Sequence, residues 1–309
     1  MTECDDYFDL QINGYAGVDF NDGELIGESL HRACVQLRND GVGGILATVI
    51  TDTVDRMVAR LANLATIREH DPLVRQVVAG VHIEGPFINP EPGYVGAHPV
   101  TAVTAADPEL MKRLLDAAGG LTRIVTLAPE KDEGLRVTRM LERLGVVVAA
   151  GHCNPTIDQL RAAIDVGLSM FTHLGNGCPM RLHRHDNIVQ RALGLADRLH
   201  ISFIADGTHV PFVALRNYLR LIPPEHVVVV SDAISAAGRK PGTYTVGGQA
   251  VEVGNDQVPR AADDSHFVGS ACIMRQMADN LRRELGASNE QIRQWLSENP
   301  RRVIGQNDS

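Results

Sequence analysis

The amino-acid sequence predicts an α/β fold, a closed (β/α)8 barrel of the TIM type. Short apolar runs rich in β-branched residues alternate with longer stretches of helical periodicity, which is typical of parallel strands joined by helices. The chain has 309 residues, enough for a barrel that usually needs about 250. An open doubly wound sheet most often carries G-x-G-x-x-G after its first strand, and here Gly14 and Gly17 do not make that spacing.

Strands and helices are predicted in strict alternation. The strand candidates are Phe8–Ile12, Gly44–Ile50, Gln76–Ile83, Arg123–Leu127, Val146–Ala150, Leu168–Phe171, His200–Ala205 and His226–Ser231. The helix candidates between them lie at about Glu28–Asn39, Val54–His70, Pro108–Ala118, Glu133–Leu144, Thr156–Asp165, Ile188–Leu193 and Pro211–Leu221. Eight strands separated by seven helices favour a closed barrel.

Residues 241–266 interrupt this alternation with several glycine turns. Two apolar runs within them, Thr243–Val246 and Ala250–Val253, predict a β-hairpin excursion. Helical patterns return at Ala271–Leu285 and Asn289–Ser297, where Trp295 is expected to anchor the last helix on the core. Because no linker or repeat divides the sequence, we expect one catalytic barrel domain over residues 1–309.

Composition excludes several classes of partner. Lys and Arg number 29 against 38 Asp and Glu, a net charge of −9, whereas nucleic acids and anionic membranes require a basic face. The longest apolar stretches, Val146–Ala150 and Val227–Val230, are much shorter than the roughly 18 residues that cross a bilayer. The acidic N-terminus lacks the features of a secretory signal, and five cysteines without C-x-x-C spacing fit a reducing compartment. We therefore expect a cytoplasmic protein.

Ionisable residues stand where predicted strands end, which is where barrels of this kind place their catalytic groups. They are Glu84, His152, His173, His209 and Asp232. A single strand-end histidine is more often a hydrogen-bonded packing residue, and a single aspartate often caps the next helix. Several such groups on one rim are costly to desolvate unless they are paired or bind a cation. Their recurrence therefore indicates a functional site.

One carboxylate and two imidazoles, from Glu84, His152 and His173, are the ligand type that holds a divalent metal with an open position for water. A metal bound in this way polarises a carbonyl and acidifies water. Asp232 would then be a base able to take the proton from that water. Together these residues indicate a hydrolase.

Nine short motifs are distributed along nearly the whole chain. They are Asp9-Leu-Gln-Ile-Asn-Gly, His82-Ile-Glu-Gly-Pro-Phe-Ile-Asn, Gly96-Ala-His-Pro, Ala150-Gly-His, Thr172-His-Leu-Gly-Asn, Ile204-Ala-Asp-Gly-Thr-His-Val, Val230-Ser-Asp-Ala-Ile-Ser-Ala-Ala-Gly, Val268-Gly-Ser and Asn299-Pro-Arg-Arg-Val-Ile-Gly. In content and order this series resembles the N-acetylglucosamine-6-phosphate deacetylases of the amidohydrolase superfamily. Any one motif would be a weak signal, but the ordered series is specific.

The resemblance implies a role for each matching residue. Glu84, His152 and His173 match the metal ligands, and Asp232 matches the catalytic acid/base. His209 matches a second catalytic residue, one that contacts the sugar and helps to polarise the amide. Ala97, His98, Asn176 and Gly177 match residues that contact the substrate, and Val268 and Gly269 match a segment that closes over it. Arg184 matches an arginine that holds the sugar 6-phosphate, and in the family this arginine often comes from a neighbouring subunit.

The first strand bears on the number of metal ions. Gln11 and Asn13 share one face because strand side chains alternate. In the binuclear enzymes of the superfamily a His-x-His pair occupies these two places. Amides are poor metal ligands beside imidazoles, so we expect one divalent ion per chain, zinc in the first instance, with iron or another divalent ion as the alternative.

The sequence departs from the family pattern in three places. The first barrel strand begins within the first ten residues, so the usual β-sandwich is expected to be absent or reduced to the 241–266 excursion. The loop that carries Arg184 lacks the usual Arg-Glu-Pro-Gly segment. The same loop carries His183 and His185, which we interpret as a solvated pair rather than a second metal site.

The expected reaction converts N-acetylglucosamine 6-phosphate to glucosamine 6-phosphate and acetate. The nearest alternative keeps this chemistry but changes the substrate to N-acetylgalactosamine 6-phosphate or an unphosphorylated sugar. A second alternative is a non-catalytic sugar-phosphate binding protein, which would not need the base Asp232. Each alternative has a small-molecule partner, and a homodimer is compatible with all of them.

Overall fold

The computed structural model describes residues 6–261 and 266–306. Eight parallel strands form one sheet in sequence order. Their bounds are Tyr7–Ile12, Val42–Ile50, Val78–Glu84, Thr122–Leu127, Val147–Ala150, Leu168–Phe171, His200–Phe203 and Val227–Val229. The N-terminal residues 1–5, on which the prediction of no secretory signal rests, lie outside the described ranges.

The first and eighth strands close the sheet into a barrel. Asp232 donates its backbone N–H to the carbonyl of Gln11 over 2.9 Å, and Asn13 donates to the carbonyl of Ala233 over 2.7 Å. A parallel bridge pairs Ile12 with Ala233 between these bonds. The predicted barrel is therefore confirmed, and its closure lies beside two residues predicted to be functional.

A helix follows each barrel strand on the outside of the sheet. These helices are Gly27–Asn39, Val54–His70, Pro108–Ala117, Arg136–Arg143, Ile157–Asp165, Ile188–Leu193, Phe212–Leu219 and Met274–Asn280. Polar side chains cap several of their N-termini, as when Thr156 and Gln159 form a reciprocal capping box. The last helix continues through Leu281–Leu285, and a second helical stretch runs through Asn289–Arg293, Gln294–Glu298 and Asn299–Val303. Trp295 is 5% exposed, as its predicted anchoring role requires.

Several predicted boundaries differ from those of the structure, and two of the differences have a clear local cause. Gln76 and Val77 were assigned to the third strand, but they end a short helix, Pro72–Val77. Asp71 caps this helix by accepting two backbone N–H groups, and the fixed φ of proline suits its first position. The predicted helix Glu133–Leu144 begins only at Arg136, because Glu133–Leu135 form a 3-10 turn in which Gly134 and Leu135 are left-handed.

The excursion after the eighth strand is a small antiparallel sheet. Its strands are Gly242–Val246, Gln249–Val253 and Pro259–Ala261, so it has a third strand that the hairpin prediction lacks. It has its own apolar cluster, in which Val246 and Val251 pack with Ile234 and Val268 beside the barrel mouth. Residues 262–265 of the predicted excursion lie outside the described residues. Among those described, no helix combines the length and apolar character needed to span a membrane.

Candidate active site

The carboxyl ends of four strands bring the predicted ligands and base together. Glu84 is the last residue of the third strand, and His152 and His173 each follow their strand by two positions. Asp232 follows the eighth strand by three positions. The topology of the barrel thus places residues up to 148 positions apart on one rim.

Glu84 is the centre of this cluster. Its Oε1 lies 3.0 Å from Nε2 of His173 and 3.3 Å from Nε2 of His152. Burial alone would raise the pKa of Glu84, but the hydrogen bonds and charges of the two imidazoles hold that pKa well below its usual range. Glu84 is therefore a buried carboxylate that keeps its charge.

His98 belongs to the same cluster, although the sequence assigned it to the substrate. Its Nε2 lies 3.3 Å from Nε2 of His152 and 4.0 Å from Oε2 of Glu84. Glu84, His98 and His152 each offer a ligand atom, and these atoms lie within 4.8 Å of one another. Burial, together with the charge of His152, lowers the pKa of His98 to about 3. At neutral pH His98 is therefore an uncharged imidazole, the form that binds metals.

The donor set fits a divalent cation. Buried carboxylate and imidazole groups meet at one point, and the second ring nitrogen of His152, Nδ1, contacts the carbonyl of Tyr94 over 2.8 Å. Such a contact fixes the tautomer so that Nε2 is free to act as a ligand. The Glu84 carboxylate also raises the pKa of His173 against the effect of burial. A bound cation would take the place of the protons that now lie between Glu84 and the imidazoles of His152 and His173.

Two amides lie between the cluster and Asp232. Gln11 donates Nε2 to Oε1 of Glu84 over 3.0 Å and to Oδ1 of Asp232 over 3.3 Å. Asn13 donates Nδ2 to the same Asp232 oxygen over 2.7 Å, and Thr172 fixes the orientation of Gln11 by donating to its Oε1 over 3.1 Å. The side of each amide that faces the carboxylates is thus a donor, which cannot bind a metal.

Asp232 lies beside the cluster as a buried acid with a raised pKa. Burial raises its pKa to about 6, with a further contribution from the charge of Glu84, while the bond from Asn13 opposes the rise. General acid–base catalysis works best when the pKa of the group lies near the operating pH. The environment of Asp232 therefore differs from that of Glu84, whose pKa is lowered.

His209 is oriented by a residue to which sequence reasoning gave no role. Its Nδ1 lies 2.7 Å from Oδ2 of Asp206, and Oδ1 of Asp206 accepts the backbone N–H groups of Thr208 and His209. The side chain of His209 is 5% exposed, and its ring packs edge-on against Phe267 with centroids 5.3 Å apart. The Asp-x-x-His spacing was the available signal, since one turn brings residues three apart together.

His82 shares the inward face of the third strand with Glu84 but cannot serve as a ligand in this geometry. Its Nδ1 lies 3.1 Å from the carbonyl of Leu10, and its Nε2 lies 2.8 Å from Oγ1 of Thr126. Burial lowers its pKa to about 4. His82 is thus a neutral, hydrogen-bonded core histidine.

Backbone strain coincides with the cluster. His152, His173 and Asp232 have φ values of 51°, 31° and 48°, in the left-handed region that non-glycine residues rarely adopt. Such conformations cost on the order of 1–3 kcal/mol each and concentrate at functional sites. The residues at three strand ends therefore share a strain that points to function independently of their chemistry.

The segments predicted to contact substrate surround this cluster. Asn176 donates Nδ2 to the carbonyl of His173 over 3.2 Å. Gly177, at φ +60°, passes so close to the ring of His152 that a Cβ there would lie 2.9 Å from Nδ1. Ala97 and Val268 pack in the apolar cluster of the excursion. The excursion thus supports the loops on which these residues lie.

Arg184 lies on the exposed part of the loop after the sixth strand. Among the described residues its guanidinium has no ion-pair partner. His183 and His185 are exposed neighbours with ring centroids 6.5 Å apart, in accordance with the predicted solvated pair. The loop therefore presents its basic groups to solvent.

Asp9 is a second buried acid to which the sequence gave no role. It accepts hydrogen bonds from the backbone N–H of Ser231 over 3.1 Å and from the Ser231 hydroxyl. Burial raises its pKa to about 7. The sequence could have indicated this, because alternate residues of a strand share one face and Asp9 therefore lies on the same face as Gln11 and Asn13.

Several curated proteins are similar to this chain over most of its length. The chain is 30% identical over 299 residues to the N-acetylglucosamine-6-phosphate deacetylase of Bacillus subtilis, and the match covers 96% of this chain and 74% of the relative. The Bos taurus protein of the same name is 32% identical, over 97% of this chain and 73% of the relative. The N-acetylgalactosamine-6-phosphate deacetylase of Escherichia coli O157:H7 is 30% identical, over 98% and 78%. No family model matches the chain.

Solved structures of N-acetylglucosamine-6-phosphate deacetylases have the same fold as this chain. N-acetyl-D-glucosamine-6-phosphate deacetylase from Mycobacterium smegmatis superimposes with a TM-score of 0.88 at 28% identity, over 97% of this chain and 78% of that chain. The Thermotoga maritima structure gives 0.84 at 27% identity, over 97% and 78%. A 5-methylcytosine deaminase from Klebsiella pneumoniae, with a TM-score of 0.52 and 13% identity over 97% and 74%, shares the fold alone.

The barrel and its strand-end cluster define a hydrolase fold of the amidohydrolase type. Within that class, the chain belongs to the N-acetylglucosamine-6-phosphate deacetylase family.

Proposed function

We propose that this protein is a metal-dependent deacetylase that converts N-acetylglucosamine 6-phosphate to glucosamine 6-phosphate and acetate. The observation that carries the proposal is the buried cluster of Glu84, His152 and His173 with Asp232 beside it on one barrel rim. Family membership supplies the substrate, since several relatives are named for it. The fold, the cluster and the relatives thus support one reaction.

Glu84, His152 and His173 would hold the divalent cation, with zinc as the first candidate and iron as the alternative. His98 lies within reach of the same point and, because it follows Ala97, also adjoins the proposed substrate loop. When bound, the cation supplies Lewis-acid chemistry that polarises the acetamide carbonyl and acidifies water. We propose one ion per chain, because Gln11 and Asn13 direct N–H groups rather than lone pairs toward the carboxylates.

Asp232 acts first as base and then as acid. Its carboxylate takes a proton from the attacking water, and the protonated carboxyl then delivers that proton to the departing amine nitrogen. Asn13 and Gln11 both bond to Oδ1, which fixes the carboxyl plane and leaves Oδ2 to exchange the proton. One residue thereby completes the proton balance of the hydrolysis.

His209 stabilises the carbonyl oxygen as charge develops on it. The Asp206 carboxylate lies 2.7 Å from Nδ1 and fixes the orientation of the ring. Nε2 points away from Asp206 and is the ring nitrogen that would donate to the carbonyl oxygen. A preorganised donor at a developing oxyanion contributes about 2.7–4 kcal/mol to the rate in other hydrolases.

Arg184 would hold the 6-phosphate through paired hydrogen bonds, which suit a guanidinium better than an ammonium. Its exposed position makes it available to the site of its own chain or, in a homodimer, to the site of a partner. Asn176, Gly177, Val268 and Gly269 would contact the sugar and close over it.

Acetate release from purified protein of known metal content tests the proposal. The panel contains N-acetylglucosamine, N-acetylgalactosamine and the 6-phosphate of each. The highest kcat/KM is expected for N-acetylglucosamine 6-phosphate. Higher kcat/KM for the galactosamine phosphate would favour the second candidate, which the Escherichia coli O157:H7 relative supports. Absence of acetate release from all four sugars by the metal-loaded protein would contradict the proposed activity.

A further inference from the structure

Arg191 joins the loops after the fifth and the sixth strand through hydrogen bonds. It belongs to the helix Ile188–Leu193, and its side chain is 14% exposed. Nη1 donates to Oδ1 of Asn154 over 3.0 Å and to the carbonyl of Pro155 over 2.9 Å. Nε donates to Oδ1 of Asp186 over 2.6 Å. One guanidinium thus binds acceptors from the loops after the fifth and the sixth strand.

The first of these contacts leads to His152. Asn154 lies two residues beyond it, and the backbone N–H of Asn154 donates to Oε1 of Glu130 over 2.5 Å. The same oxygen accepts Nδ2 of Asn89 over 3.0 Å, and the backbone N–H of Asn89 donates to the carbonyl of His152 over 2.9 Å. The turn that bears this proposed ligand is therefore fixed by a continuous set of hydrogen bonds that ends at Arg191.

The second contact leads to the loop of Arg184. The backbone N–H of Asp186 donates to Nδ1 of His183 over 2.9 Å, and Asn187 donates Nδ2 to the carbonyl of His183 over 2.8 Å. Arg184 lies within this small turn. The hydrogen bond from Arg191 lowers the pKa of Asp186, whose side chain is 70% exposed. Arg191 is therefore a largely enclosed side chain that holds a turn otherwise open to solvent.

The geometry points to Arg191 as a positioning residue that fixes the loop of Arg184, the residue proposed to hold the phosphate, relative to the barrel rim that bears His152. This inference rests on the proposed function, because it assigns a use to the position of Arg184. Arg191 itself is given no contact with the substrate. A guanidinium suits this task because its donors lie in one rigid plane and serve several acceptors at once.

Steady-state kinetics of R191Q on N-acetylglucosamine 6-phosphate and on N-acetylglucosamine tests the inference. We expect KM for the phosphorylated sugar to rise roughly tenfold, the usual effect of losing one charge-assisted hydrogen bond. The values of kcat/KM for the unphosphorylated sugar, of Tm and of metal content should change little. R191K should restore part of the loss. R198Q is the matched control, since Arg198 pairs with Asp165 over 2.7 Å on another part of the surface. D186A removes only the exposed contact, and it replaces R191Q if that variant does not fold.

A double-mutant cycle with R184A tests whether the two arginines act together. If Arg191 acts through Arg184, the double variant should show the KM of R184A alone. Multiplied effects, equal losses on both sugars, or loss of bound metal in R191Q would overturn the inference. If R184A is selective for the phosphorylated sugar but R191Q is not, the inference about Arg191 fails and the proposed function stands. If neither variant is selective, both the inference and the proposed binding of the phosphate by Arg184 fail.

Discussion

Asn13 donates its side-chain amide to Oδ1 of Asp232 over 2.7 Å, across the seam where the first and eighth strands close the barrel. The contact joins residues 219 positions apart. It orients the carboxyl group that we assign as acid and base. It also directs an N–H group of Asn13, rather than a lone pair, toward this carboxylate.

Asp232→Asn should remove proton transfer while keeping the shape of the site, since the amide oxygen can still accept from Asn13. Positioned acid–base groups contribute about 10²- to 10⁴-fold to turnover. We expect kcat to fall by that factor with unchanged metal content, measured by acetate release and elemental analysis. Turnover near that of the unaltered protein would mean that another group, such as His209, is the base.

Protein purified without chelator should contain one divalent ion per chain. Gln11 and Asn13 present N–H groups rather than lone pairs to the carboxylates, so they offer no ligand atoms for a second ion on that side. The double variant Gln11→His/Asn13→His should bind a second ion, as elemental analysis would show. Two tightly held ions in the unaltered protein would contradict the single-site prediction. Removal of the metal should abolish acetate release, and adding zinc should restore it.

Arg184→Ala should weaken the phosphorylated substrate selectively. A hydrogen bond to a charged group contributes about 1.5–3 kcal/mol, so KM for N-acetylglucosamine 6-phosphate should rise by roughly tenfold or more. KM for N-acetylglucosamine should change little. Arg181→Ala is the control, because that arginine lies on the same loop and is also exposed. Equal losses on both sugars would show that Arg184 has a structural role.

Gly269→Ala should disturb Asp232 through the backbone. Gly269 has φ +57°, and a Cβ there would lie 2.8 Å from the carbonyl oxygen of Asp232 and 2.6 Å from Cγ2 of Ile234. We expect a loss of about 1–3 kcal/mol in the free energy of unfolding, together with reduced kcat. Thermal denaturation and kinetics measure the two effects. Gly248→Ala is a useful comparison, since it is also left-handed but has open space around it. Loss of stability equal to that of Gly248→Ala would argue against the clash.

Asp9 predicts a dependence of stability on pH. Its pKa rises from 3.8 to about 7 on folding, mainly because the side chain is buried. The folded protein therefore binds this proton more tightly than the unfolded chain. The resulting stabilisation is complete below pH 4 and is lost as pH rises through about 7.

Asp9→Asn keeps an acceptor for Ser231 but removes this titration. As pH rises from 4 to 7, the variant should therefore become more stable relative to the unaltered protein. Urea denaturation at each pH measures the two free energies of unfolding and their difference. A difference that is constant with pH would contradict the raised pKa. Measuring the difference cancels the titrations that both proteins share.

Local patterns in the sequence were sufficient for the barrel and for its rim. Alternating strand and helix periodicity depends on neighbouring residues, so it can be read without knowledge of distant contacts. The strand-end position of Glu84, His152 and Asp232 followed from that pattern together with the general rule for barrels. Boundaries failed where local chemistry had competing solutions, as at Gln76, where a capped helix ends before the strand begins.

Only the tertiary structure decided which of these groups touch one another. His98 joins Glu84 and His152, Asp206 orients His209, and Arg191 connects two loops, yet no sequence spacing specifies the contacts with His98 or Arg191. The strained φ values of the strand-end residues, and the direction in which the amides of Gln11 and Asn13 point, are likewise fixed by packing across the closed barrel. The sequence by itself determined the elements and the chemical groups at their ends, because both depend on local order. Distances, protonation and orientation depend on residues far apart in the chain, so they are set only when the barrel closes.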